Sequence, residues 1–261
     1  MSSPQPPLLP YITATTSSGL DIDYLSLNDG NDGLIVFMSN ALVPGREDRS
    51  VPAFHRWSWA ASFPESRVLV FADPGLRKSP IPDGAWYLDP EHDTLGAIGE
   101  IVTEVAKENG VSLADVVYYG SSLGGYGALC AAAVTGSRAI VEVPQIDVGN
   151  WFPGAIKKIE DYVLGCSLDD LREKYPERVG VWERFLAQRC IPQFTILTNE
   201  ADKCFDDQLA LVGKVREDAL GKGVRADVVI TAVTKGHQVL PKDEVTRRIR
   251  EVMRYPSPSQ I

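Results

Sequence analysis

Five short stretches of the chain are almost wholly apolar: Gly33–Met38, Arg67–Ala72, Val116–Tyr119, Ala139–Val143 and Phe194–Thr198. Runs of this length with no polar alternation predict strands buried on both faces, which is the signature of a parallel sheet. Asp227–Val233 supplies one more strand. Ahead of these, Tyr11–Thr16 and Asp21–Leu27 flank a Ser-Ser-Gly turn and predict an antiparallel hairpin. Between the strands the period changes to that of a helix. Asp93 is placed to cap a helix whose Leu95, Ile98, Val102 and Val105 share one face before Gly110 ends it. Leu209, Val212, Val215 and Leu220 repeat the pattern up to Gly221, and Val245, Ile249 and Val252 do so near the C-terminus. Strand and helix in alternation predict an α/β, doubly wound, mostly parallel central sheet opened by the hairpin, with helices on both faces.

Two segments depart from this rhythm. Residues 1–10 hold four prolines and predict an extended arm ahead of a single domain over 11–261. Between Val143 and Phe194 lie about fifty residues where a crossover needs a dozen or two. That stretch carries Trp151, Phe152, Trp182 and Phe185 and a helical piece over Ser167–Lys174, so a small helical cap is expected at about 146–190, over one end of the sheet.

Composition narrows the partners. Lys and Arg number 26 against 35 Asp and Glu, a net charge of −9, which offers no footprint for nucleic acid or an anionic membrane. No run of about 18 apolar residues is present, and the N-terminus lacks the basic start and apolar middle of a signal peptide, so the expected location is cytoplasmic. Cys130, Cys166, Cys190 and Cys204 are spaced too irregularly for a metal knuckle or a CxxC pair and are expected to be reduced and structural. The oligomeric state is open.

The sharpest chemical signal is Gly120-Ser121-Ser122-Leu123-Gly124, which follows a buried strand and precedes the small, apolar Gly125–Ala133. A tight strand-to-helix turn that lifts a serine out of a sheet needs glycine two residues before and two after it, because side chains there would clash. Ser122 is therefore the candidate nucleophile. A serine hydroxyl needs a base. Of the three histidines, His55 lies in the aromatic run Phe54–Trp59, expected as the first helix after the Leu34–Met38 strand, and His92 lies in an acidic loop. His237 lies between the last strand and the last helix, from where it can reach a mid-sheet elbow. The base in turn needs a carboxylate to fix its tautomer. Asp202, just after Phe194–Thr198, completes the order Ser122, Asp202, His237; Glu200, Asp206 and Asp207 are near rivals and Asp147 is a second origin. Oxyanion donors are expected from the backbone N–H of Leu123 and from the loop after Met38, through either Asn40 or Ala41.

Together, the Gly120–Leu129 elbow, the Asp202 loop and Gly236-His237 resemble the α/β-hydrolase superfamily over most of the chain, from about Ile12 to Tyr255. The Ser-Leu-Gly-Gly-Tyr-Gly elbow, Trp86-Tyr87 and Pro144-Gln145 are also similar to bacterial α/β-hydrolase-like proteins linked to surface-polysaccharide or accessory-secretion systems. The resemblance implies an α/β-hydrolase fold and a serine hydrolase mechanism with no metal and no organic cofactor. It implies cleavage of a small ester or an acylated carbohydrate through an acyl-enzyme. The rival readings are acyl transfer to a sugar or other alcohol, amide cleavage, and a non-catalytic scaffold. Trp86, Tyr87, Gln145 and Trp151 are the expected substrate contacts, with Trp182 as further apolar wall.

Overall fold

Eight strands form one sheet in the order β1-β2-β4-β3-β5-β6-β7-β8. The computed structural model describes residues 10–42, 52–79, 81–232 and 236–254. β1 (Ile12–Thr15) and β2 (Asp21–Leu27) make the hairpin, and β2 also pairs antiparallel with β4 (Arg67–Phe71). Every later pairing is parallel: β3 (Leu34–Met38) with β4 and with β5 (Val116–Ser121), then β6 (Arg138–Glu142), β7 (Gln193–Thr198) and β8 (Ala226–Ile230). β3, β5 and β6 are buried at every position, as their unbroken apolar runs require.

Two strands end earlier than their hydrophobic runs. Val143 leaves β6 at φ 38°, turning the chain toward Gln145, and β8 stops at Ile230 rather than continuing to residue 233, which lies outside the described residues. The expected arm over 1–10 lies outside them too, except for Pro10.

Helices cover both faces. α1 (Thr94–Glu108) is capped by the Asp93 carboxylate on Gly96 N, and α2 (Leu123–Thr135) is buried almost all round, as its Ala and Gly content suits. On their face lies α6 (Phe205–Glu217), through Leu211, Val212 and Val215. The inward stripe is thus shifted from the one predicted: Leu209 is exposed, and Leu220 belongs to a separate 3₁₀ turn over Ala219–Gly221. The opposite face is covered by α7 (Lys242–Arg254), through Val245 and Ile249, and by a 3₁₀ turn over Trp57–Ser62. That turn stands where a first helix after β3 was expected.

Residues 148–188 hold α3 (Pro153–Ile159), a π turn over Glu160–Leu164, α4 (Leu168–Lys174), capped by Ser167, and α5 (Val181–Gln188). α5 is not a cap element. Phe185 joins the main core, and Arg184, 1% exposed, forks onto Asp93 at the start of α1 with two hydrogen bonds of 2.7 Å. The half of the insertion near the strand ends is the part from Trp151 to α3. Among the described residues no helix is long and apolar enough to cross a membrane.

Candidate active site

Ser122 occupies the sharp bend between β5 and α2. Its φ of 55° and ψ of −125° lie where side chains are rarely tolerated, a strain of order 1–3 kcal/mol that the surrounding structure must hold. Two tight contacts explain the flanking glycines. A Cβ on Gly120 would fall 2.0 Å from Gly124 O, and one on Gly124 would fall 2.8 Å from both Met38 O and Ser39 O. The bend is tied to the next strand by Ser122 N, which donates to Glu142 O at 2.9 Å.

The acid and the imidazole come from the loops after β7 and β8. Asp202 is fully buried at its side chain and accepts from Cys204 N (2.8 Å) and from Gln208 Nε2 (3.2 Å) on one oxygen. Its other oxygen lies 2.6 Å from His237 Nδ1, and 28% of the His237 side chain stays exposed. A carboxylate only accepts, so this contact places the proton on Nδ1 and leaves the Nε2 lone pair free. Further bonds fix the loop. Asn199, wholly buried, donates to Gly236 O at 2.9 Å, and the Glu142 carboxylate accepts from Leu240 N at 2.8 Å and from the Tyr119 hydroxyl. Burial pushes the Glu142 carboxyl up and the Tyr119 phenol well up; the Arg56 guanidinium, stacked 5.1 Å from the Tyr119 ring, opposes both shifts.

Ser122 opens into a cleft of roughly 350 Å³ at the carboxyl ends of the strands, where open α/β sheets bind ligands. Ala41, Leu42, Asp83, Gly84, Trp86, Leu123, Gln145, Trp151, Ala155 and Lys158 line it. Trp151 connects this cleft to the imidazole, its ring 5.1 Å from that of His237. Among the described residues Ser122 Oγ receives one hydrogen bond, from Gln145 Nε2 at 3.1 Å, and none joins it to His237. Such bonds often tighten only when substrate is present.

The structure therefore brings Ser122, Leu123, Ala41, Trp86, Gln145 and Trp151 to one cleft, with His237, bonded to the buried Asp202, packed beside Trp151. Asn40 packs against the start of α2, its buried Oδ1 without a hydrogen-bond partner among the described residues and 2.9 Å from where a Gly124 Cβ would lie. Other expectations resolve differently. Tyr87 is behind the wall, its hydroxyl donating to Ser39 O, because its backbone turns at φ 57° into the core. Trp182 faces away on α5, under Lys214. Asp147 is engaged by Arg172 at 2.6 and 2.7 Å, Asp207 accepts from Asn150, and Asp206 and Glu200 are exposed. Neither His55 nor His92 lines the cleft. Asn199, Gln208 and Glu142 are supports that sequence reasoning did not find; a glutamate inside the apolar run Ala139–Val143 is the one visible signal among them.

A larger hollow of about 560 Å³ lies at the opposite, amino ends of β6, β7 and β8. It carries Arg138, Arg216, Arg225 and Arg248, but Arg225 is paired with Asp227 and Arg248 with Glu244, and none of the candidate chemistry reaches it. Among the described residues no group of three or more His, Cys, Asp or Glu is placed to hold a metal.

Sheet order, the antiparallel first pair and a strained serine between β5 and α2 decide the architecture. The fold is that of the α/β-hydrolases. No family model and no curated protein matches the sequence. Solved structures match the fold. The capsule O-acetyltransferase of Neisseria meningitidis serogroup A superposes with a TM-score of 0.66 at 18% identity, covering 92% of this chain and 98% of that one. S-formylglutathione hydrolase from Staphylococcus aureus gives 0.59 at 12% identity, covering 94% and 98%. Carboxyl esterase 2 from the mycorrhizal fungus Tuber melanosporum gives 0.63 at 12%, covering 94% and 87%. This chain thus shares its fold with these enzymes.

Proposed function

We propose that this protein is a serine-dependent enzyme that handles carboxylic esters through an acyl-enzyme on Ser122. The observation that carries the reading is the strained serine facing a cleft whose Trp151 packs against a His237 hydrogen-bonded to Asp202. His237 Nε2 takes the hydroxyl proton as Oγ attacks the acyl carbon, and returns it to the departing alcohol. Asp202 holds the tautomer and stabilises the imidazolium. The N–H of Leu123 and that of Asn40 or Ala41 receive the oxyanion.

The acyl-enzyme then passes its acyl group to water or to an alcohol. Transfer to a sugar hydroxyl is the second reading, and one observation favours it. Trp151 and Phe152, the latter 54% exposed, form an edge-to-face pair with ring centroids 4.8 Å apart beside His237, a surface on which a sugar ring can stack. The likeness to a capsule O-acetyltransferase supports the same branch. Kinetics with p-nitrophenyl acetate, with and without added sugars, test both. Release of acetate alone supports hydrolysis, and acetylated sugar found by mass spectrometry supports transfer. In either case Ser122→Ala should be inert. Turnover that survives in Ser122→Ala contradicts the proposal, and an inert wild type with no acyl-enzyme points to a scaffold.

A further inference from the structure

Trp86 Nε1 donates to Gln145 Oε1 at 2.6 Å, and Gln145 Nε2 lies 3.1 Å from Ser122 Oγ. Both side chains belong to buried residues, Gln145 at 1% exposure and Trp86 at 4%. The direction of every proton in this row follows from chemistry. An indole N–H can only donate, so the amide atom facing Trp86 must be the carbonyl oxygen. The other end, an NH₂, must then face the serine. Ser122 Oγ consequently accepts from Gln145, and its own proton is left to point elsewhere.

We propose that Gln145 is a catalytic residue that keeps an N–H on Ser122 Oγ through both halves of acyl transfer, with Trp86 as the positioning residue that fixes which end of the amide faces the serine. The inference rests on the acyl-enzyme reading above. In acylation the Oγ–H bond breaks, its proton goes to His237 Nε2 and the Oγ–carbon bond forms as the carbonyl π pair moves onto oxygen; the carbonyl then re-forms, the ester C–O bond breaks and the alcohol leaves with the proton from His237. In deacylation the incoming oxygen loses its proton to His237 as it bonds to the acyl carbon, and the carbonyl re-forms as the Oγ–carbon bond breaks and Oγ takes that proton. Oγ carries partial negative charge in both, and Gln145 gives up no proton in either. A hydrogen bond to a charged oxygen is stronger than one to a neutral hydroxyl, so the contact favours the transition state over the resting enzyme.

Sequence context agrees with a built arrangement. Trp86 and Tyr87 adopt φ of 52° and 57°, and the buried Asp73 carboxylate holds their loop by accepting from Ala85 N at 2.8 Å. Val143, at φ 38°, turns the chain out of β6 just before Pro144 and Gln145.

The test uses the full chain, p-nitrophenyl acetate turnover and the rate of fluorophosphonate labelling at Ser122. Gln145→Met keeps length and apolar bulk but removes the N–H. Its kcat and labelling rate should each fall roughly 10- to 100-fold, with KM within about twofold of wild type. Gln145→Glu should lose more, because a carboxylate opposes charge on Oγ and competes for the serine proton. Trp86→Phe, which frees the amide to turn, should lose about 5-fold, again in kcat. A wild-type kcat in Gln145→Met, or a raised KM at unchanged kcat, overturns the inference while an inert Ser122→Ala leaves the acyl-enzyme reading standing. Turnover without Ser122 would instead sink that reading. If Gln145→Met does not fold, the labelling rate of Trp86→Phe decides: an unchanged rate overturns the inference.

Discussion

At the scale of single residues, the choice of acid turns on which carboxylate is free to serve an imidazole. Asp202 spends one oxygen on Cys204 N and Gln208 and presents the other to His237, whereas Asp147 has both oxygens on Arg172. Asp202→Asn places an amide where the tautomer needs an acceptor, so kcat on p-nitrophenyl acetate should fall about 10³- to 10⁴-fold. Asp147→Asn should stay within about twofold, since it touches neither Ser122 nor His237. Equal losses in the two variants would contradict this assignment. Chain order after β7 is what points to Asp202 in the sequence. The support from Gln208 has no such signal, because nothing in a residue type six positions along says that its amide turns back on a carboxylate. Tyr87 was misread as a cleft residue for a related reason: adjacent positions at positive φ send neighbouring side chains in directions that no strand or helix period predicts.

At the scale of elements, the buried sheet was readable because strands covered on both faces leave unbroken apolar runs. β8 was overextended because it lies at the edge, where half-exposed positions carry no sharp boundary. α6 shows the limit of helical spacing: Leu209 and Leu220 fit a period, but Leu211 is the residue the core uses. The loop bearing Trp86 is held by Asp73, whose carboxyl burial pushes from an ordinary 3.8 up to about 6, against the N–H groups of Ala85, Gly75, Tyr87 and Trp86. The folded state therefore binds more protons than the unfolded one between those values. The stabilisation from this group is complete below about pH 4 and lost as pH rises through about 6, a change of up to about 3 kcal/mol. Asp73→Asn cannot titrate. Urea unfolding across pH 3.5–7.5 should show wild type losing stability relative to the variant over that window and a level difference above it. A level difference throughout would contradict the account.

Across the whole molecule, the insertion after β6 is divided between two jobs. Its first part brings Trp151 and α3 to the cleft, while α5 is bound into the helical layer by Phe185 and by Arg184 on Asp93. Burial alone would raise the Asp93 carboxyl; the Arg184 hydrogen bonds and charge outweigh it and hold the carboxyl low. Arg184→Met leaves that carboxylate without its partner, and should destabilise the fold by about 3 kcal/mol in urea unfolding, with little change in kcat of the molecules that remain folded. Sequence length and aromatic content point to an insertion but not to this division, because a buried arginine reads as surface until its partner 91 residues away is placed beside it. The central claim is that one hydroxyl, Ser122, becomes the covalent centre. Fluorophosphonate labelling followed by peptide mapping tests it most directly. The expected result is a single adduct on the Ser122 peptide of wild type, absent from Ser122→Ala and formed far more slowly in His237→Ala. An adduct on another residue, or none on the wild-type protein, would contradict the account.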